Sequence, residues 1–210
     1  MDVITAIEQR RSINFFDTTR NVPDELIRQI LEFATLSPSS FNLQPWKVII
    51  VNEPQKKKIL RECAFNQPKV EEAPVVLIII ADPMAVEENI ESVLNSWVKL
   101  GYMKSEMKDS YKGMANSLYG EPGSLKRQFF AIKNTCLFAM NIMMAAKGAG
   151  LDTHPMDGFN EKKVKQHFNI PEDKIIPMLI AIGYLKPGVT LLPRAWRMGL
   201  DKFVMYNSYR

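Results

Sequence analysis

Three segments of this chain are apolar at nearly every position: Trp46–Val51 (WKVIIV), Pro74–Ala81 (PVVLIIIA) and Pro177–Tyr184 (PMLIAIGY). Runs of β-formers without polar alternation predict strands buried on both faces, so helices must lie above and below them. The helical patterns are present. Asp2 can cap a first helix with Val3, Ile4 and Ile7 on one side and Arg10-Arg11-Ser12 at its end. Pro23-Asp24-Glu25 opens a second, with Leu26, Ile27, Ile30 and Leu31 facing inward, and it should stop near Ser37-Pro38. From Ser124 runs the longest pattern, SLKRQFFAIKNTCLFAMNIMMAAKGAG, apolar almost all round and closed by Gly148 and Gly150. It predicts a helix through the core, with Met140, Met143 and Met144 as filler.

Residues 84 to 123 differ, with Trp97, Tyr102, Tyr111 and Tyr119 spread among charges. They read as a helical excursion over the sheet, a candidate lid within one domain of residues 1 to 210. The tail from Gly188 onward ends in a strand-like KFVMY. The fold class is α+β. A dinucleotide-binding fold is excluded, because the one G-x-G, Gly148-Ala149-Gly150, closes a helix instead of opening one.

Composition narrows the function classes. At 46% hydrophobic and 24% charged, the chain is an ordinary soluble globular type. Met1-Asp2-Val3 begins no secretory signal, and the apolar stretch Ala73–Ala81 is too short to span a bilayer, so a cytoplasmic protein is expected. Two cysteines (Cys63, Cys136) and two histidines (His154, His167) suit neither a disulfide framework nor a metal site. The net charge of +4 is scattered, with Lys56-Lys57-Lys58 and Lys162-Lys163 on solvated helix faces. No basic, aromatic-interleaved stretch points to nucleic acid, whereas a small anion would suit these charges.

Four polar constellations could carry chemistry. Arg10-Arg11-Ser12 offers two guanidinium groups and a hydroxyl to a phosphate, although basic residues also suit a helix C-terminus electrostatically. Pro38-Ser39-Ser40-Phe41-Asn42 sets hydrogen-bonding groups directly before a buried strand, as a rigid site or as a capping turn. Asn66-Gln67-Pro68-Lys69 precedes the most apolar strand. LDTHPMDGF, 151 to 159, follows the long helix, and Pro155 and Gly158 there bracket a tight turn that could present backbone N–H groups.

In order and spacing these elements resemble the FMN-dependent nitroreductases, the oxygen-insensitive NAD(P)H nitroreductase and flavin reductase family. The resemblance runs over nearly the whole chain: RRS after the first helix, SPSSFNLQPWKVIIV, NQPK, GLDTHPMDGF, and IGY followed by LPRAWR. SPSSFNLQPW is the most specific element. The resemblance implies a central, mostly antiparallel sheet covered by helices on both faces, with the C-terminal strand exchanged in a homodimer that holds FMN at its interface. It places the phosphate at Arg10, Ser12 and either Arg194 or Arg197, with Arg11 beside them. Asn66 and Lys69 match positions on the pyrimidine edge of the ring, where a lysine suits the negative charge of the reduced flavin. Pro155, Met156, Asp157 and Gly158 match a turn on one ring face, and Pro38, Ser39, Ser40 and Asn42 match a loop reaching the flavin held mainly by the partner. Asn14 stands where many relatives are basic, and Asp157 where glutamate is commoner.

The implied activity is hydride transfer from NAD(P)H through FMN to a small planar acceptor, a nitroaromatic or quinone, in two half-reactions at one site. It assigns no catalytic acid or base and no metal. The lid aromatics, with Phe129 and Phe130, are expected to wall the acceptor site. Dehalogenation or flavin fragmentation on the same fold, and a non-enzymatic basic module, are the competing readings.

Overall fold

The computed structural model describes residues 1–209. At its centre is a four-stranded sheet of β1 (Trp46–Val51), β2 (Val75–Ala81), β4 (Ile175–Gly183) and β3 (Asp152–Met156), in the order β1-β2-β4-β3. Every neighbouring pair is antiparallel. β2 is buried at each of its seven positions, as its unbroken apolar run requires. Its side chains alternate between two cores. Val76, Ile78 and Ile80, with Leu179 and Ala181 of β4, face Leu60 and Cys63 of α3 (Pro54–Cys63), Val70 of α4 (Pro68–Glu72) and Val164 of α8 (Glu161–Phe168). Val75, Leu77 and Ile79, with Ile180 and Ile182, face Ile27 and Ile30 of α2 (Asp24–Ala34) and Phe138 and Ile142 of α7 (Leu125–Gly148). Gly183, which ends β4, permits this closeness: a Cβ there would lie 2.5 Å from Pro74 Cδ and 2.9 Å from Phe16. The expected α+β architecture, with helices on both faces of an antiparallel sheet, is what the structure has.

A third core stands apart. The lid helices α5 (Ala85–Lys99) and α6 (Lys108–Tyr119) bury Val86, Leu94, Ala115 and Tyr119 against Leu43 and the first turns of α7. Two ionic anchors hold the start of α5. Asp82, 1% exposed, accepts from the Met84 N–H at 2.9 Å and pairs with Lys174 at 2.7 Å and Lys47 at 2.9 Å. Arg127 of α7 is also 1% exposed. It meets Glu87 at 2.6 and 2.8 Å and the Pro83 carbonyl at 3.2 Å, and it donates to the Gly120 carbonyl past the end of α6.

The structure differs from the sequence reading in several places. β1 is an edge strand, with Ile50 40% exposed and a neighbour on one side only. α7 is long and apolar enough by composition to cross a bilayer, yet half of its apolar window is buried inside the protein, where it supports the sheet. Its Met143 is buried but Met140 is 41% exposed, so the helix is two-faced. On α1 (Val3–Gln9) the apolar residues Val3, Ile4 and Ile7 are all exposed, and only Ala6 is buried. KFVMY forms no strand within its own chain; a short 3₁₀ turn, Leu200–Lys202, precedes an irregular, exposed end. Its apolar residues pair with no strand among the described residues.

Candidate functional site

β3 was not anticipated, and it organises the site. Asp152 and Pro155 are poor strand formers, but β3 lies outermost in the sheet, where a proline without an N–H is tolerated. Consequently Pro155 and Met156 belong to a strand, and the expected tight turn reduces to Asp157 and Gly158 after it. The segment leaving α1 runs along this edge: Ser12 bridges Thr153 in parallel, and the Ile13 N–H reaches the Thr153 carbonyl at 3.3 Å. His154 fastens the same segment, its Nδ1 lying 2.7 Å from the Ile13 carbonyl. Burial holds His154 below the ordinary histidine range against the pull of that hydrogen bond, and the Lys69 cation works in the same direction as burial.

At the α1 end of the segment four arginines come together. Arg194 Nη2 donates to the Glu8 carbonyl and, at 3.1 Å, to the Arg10 carbonyl, which folds the tail back onto α1. Arg10 is half-buried, and its guanidinium pKa is lowered by burial and then by the positive charges of Arg194, Arg197 and Arg11. No carboxylate among the described residues pairs with any of the four. Such a cluster is a receptor for a multiply charged anion. Arg194 makes the direct contacts to α1, whereas Arg197 bonds to the Ala195 and Trp196 carbonyls beside it.

At the other end Asn14 accepts from Lys69 Nζ at 3.0 Å, which joins the first constellation to the third. Burial lowers the Lys69 pKa. Asn14 lies four positions past Arg10, a span of at most about 14 Å in extended chain. Gln67 Nε2 donates to the Gly158 carbonyl at 2.7 Å, and the Asn160 N–H to the Cys63 carbonyl at 2.8 Å, so the loops at 66–69 and 157–160 form one wall. Phe65 and Asn66 have positive φ, 52° and 58°, and Asn66 is exposed on this wall. Arg10, Arg11, Ser12, Asn14, Asn66, Lys69, Pro155 to Gly158 and Arg194 therefore line one edge of the molecule.

Pro38 to Asn42 are not there. They precede β1, at the opposite edge of the sheet. Their backbone is strained and firmly held: Phe41, Asn42 and Gln44 have φ of 54°, 52° and 47°, which non-glycine residues adopt only when their surroundings compel it. Asn134 accepts the Ser40 N–H at 3.0 Å, Thr135 donates to the Pro45 carbonyl at 2.9 Å, and Asn141 donates to Ser37 Oγ at 2.7 Å. The Gln44 N–H reaches Ser39 Oγ at 3.0 Å, and Phe41 is wedged among Trp97, Tyr111 and Tyr119 at ring distances of 5.9 to 6.2 Å. Three expected lid walls are thus packing around Phe41, while Tyr102 is 76% exposed. The tethers Asn134, Thr135 and Asn141 had a sequence signal, as uncharged polar residues in the most apolar stretch of α7.

Comparisons with known proteins place the chain in a family. A family model described as the nitroreductase family matches residues 7–184. The chain is 34% identical over 207 residues to the NADH dehydrogenase of Thermus thermophilus, covering 99% of this chain and 97% of that one. A structure from Bacillus subtilis, named as the nitroreductase YdfN, superposes with a TM-score of 0.90 at 30% identity, covering 97% of both chains. Another, from Exiguobacterium sibiricum and named as a nitroreductase in complex with FMN, superposes with a TM-score of 0.87 at 27% identity, covering 98% of this chain and 97% of that one.

Proposed function

The chain belongs to the nitroreductase family, and from that footing we propose that it is an NAD(P)H-dependent oxidoreductase that works through non-covalently bound FMN. One observation carries the reading: four arginines without carboxylate partners at one end of an open edge, and Lys69 held by Asn14 at the other. A long cofactor with a phosphate at one end and a polar ring at the other fits that pair of charges. Arg10, Arg11, Ser12 and Arg194 hold the phosphate, with Arg197 close behind. Lys69 and Asn66 bind the pyrimidine edge, and Lys69 steadies the negative charge that gathers there on reduction. Met156 to Gly158 supply backbone to one ring face. When bound, FMN relays hydride from nicotinamide to acceptor, so no acid or base is required of the protein.

The site is completed by a second copy of the chain. Pro38, Ser39, Ser40 and Asn42 lie across the sheet from the arginines, and their strained, tethered backbone suits them to a ligand that their own chain holds only partly. Exposed Val3, Ile4 and Ile7 on α1, Phe33 in the last turn of α2 and Leu36 just past it, and Leu137 and Met140 on α7 offer an apolar surface for pairing. The tail past Gly199, with Phe203, Val204 and Tyr206 exposed, is the segment proposed to cross to the partner. Sedimentation should find a dimer, and a stable flavin-loaded monomer would refute this assembly. A cytoplasmic location suits its two free cysteines.

Donor and acceptor then use one cleft in turn, by a ping-pong scheme with a quinone or nitroaromatic as acceptor. Stopped-flow mixing with NADH or NADPH should bleach the yellow protein, and a quinone should restore the colour. If neither nicotinamide bleaches it, the reductase reading fails. Replacing Arg10 by alanine removes a charge-assisted phosphate contact worth about 1.5–3 kcal/mol, so FMN affinity should drop roughly tenfold or more in a fluorescence titration. Unchanged affinity would misplace the phosphate.

A further inference from the structure

A cleft of about 510 Å³ opens between the end of α6 and the first three turns of α7, with Ser40 on its wall. Its volume suits a small-molecule site. Leu118, Phe129, Phe130 and Ile132 make the lining mostly apolar, and Tyr119 contributes a ring beside Ser40. The two charged side chains of the lining are Lys126 and Lys133, both exposed cations. Seven residues apart on α7, they stand two turns from each other on one helix face. Lys126 Nζ lies 3.3 Å from the Ser117 carbonyl, and neither lysine has a carboxylate partner among the described residues. No acidic residue lines the cleft.

We infer that this cleft admits an acceptor consisting of an aromatic ring that carries an anionic substituent, a carboxylate above all. The ring packs on the apolar wall and the carboxylate lies toward Lys126 and Lys133. The inference rests on the proposed reductase function, because Ser40, on the cleft wall, belongs to the loop proposed to reach the flavin held by the partner. Charge complementarity decides the class: the two exposed lysines offer an attraction that an anionic ring gains and a neutral ring does not. The same lysines could instead hold the phosphates of the nicotinamide nucleotide, the other anionic source in this reaction.

The test uses the flavin-loaded protein as purified and the double variant Lys126→Met with Lys133→Met, which keeps the apolar stems. Calorimetric titration compares 4-nitrobenzoate with its neutral methyl ester. Exposed ion pairs are weak, so each lysine should contribute about two- to fivefold and the pair about five- to twentyfold to carboxylate affinity. The wild type should prefer the carboxylate by that factor, the preference should shrink with added salt, and the double variant should lose it. Equal affinities in the wild type, or a preference that survives in the variant, would overturn the inference. So would a loss confined to the nicotinamide half-reaction in stopped flow, which would assign the lysines to the nucleotide. Reduction of the nitro group takes one hydride from NAD(P)H and one proton from solvent, and yields the nitroso compound and water. If wild-type flavin is bleached by nicotinamide and recoloured by neutral quinone while 4-nitrobenzoate shows no binding preference, the cleft inference alone falls. If nicotinamide fails to bleach the flavin, the reductase reading falls, and the titration still decides whether the cleft selects anions.

Discussion

Arg127→Ala should destabilise the protein by about 3–5 kcal/mol, because it leaves Glu87 and two backbone carbonyls without the cation that satisfies them. Arg127 is the largest fully buried side chain, and its Nε already lacks a hydrogen-bond partner. Its net value comes from joining three elements: the start of α5, the end of α6 and α7. For a chain of this length each kcal/mol moves the melting temperature by about 2–4 °C, so a fall of roughly 6–20 °C is expected by calorimetry. Hydrogen exchange should rise first in α5 and α6, before the sheet. Arg127→Met retains most of the volume and separates packing from charge. If both variants melt with the wild type, the clasp is not what holds the lid.

The second large effect is at Asp82. Burial raises its pKa, but the ammonium groups of Lys174 and Lys47 and the Met84 N–H outweigh burial, and the net shift is downward. A folded-state pKa below the unfolded one means that the carboxylate stabilises the fold at neutral pH. That contribution starts to fade as pH drops to the ordinary aspartate value, about 3.9, and is gone once the depressed folded value is passed. Asp82→Asn should cost about 2–4 kcal/mol at pH 7, less than a fully buried pair because the Lys47 side chain is 51% exposed. In urea melts from pH 7 down to pH 3 the wild type should lose stability more steeply than Asp82→Asn below the ordinary aspartate value, and the gap between the two curves should narrow. Parallel curves would remove Asp82 from the acid response.

β2 and β4 were legible because burial on both faces forces an unbroken apolar run. β3 was not, because Asp152-Thr153-His154-Pro155-Met156 becomes a strand through its pairing with β4 and has no propensity of its own to announce it. The site residues were visible as types, since arginines beside a serine and a lysine after Asn-Gln-Pro carry recognisable chemistry. Their grouping was not. That Asn14 meets Lys69, that Arg194 folds back onto the end of α1, and that Pro38–Asn42 lie at the far sheet edge follow from tertiary pairing between positions up to 186 apart. The outward stripe of α1 reads the same in sequence as an inward one, because periodicity locates a face without saying what covers it.

The separate core of α5 and α6 bears on how such a chain can change over generations. Leu94, Ala115, Tyr119 and Phe130 pack among themselves and around Phe41, apart from both cores that face the sheet. Substitutions on the α5 and α6 side of this core therefore fall on a small unit anchored at Asp82 and Arg127, and their cost falls mainly on that unit. A lineage can exchange these helices for longer, shorter or differently charged ones while the strands and the arginine edge stay as they are. Innovation in what the protein accepts is thereby uncoupled from the inheritance of how it folds.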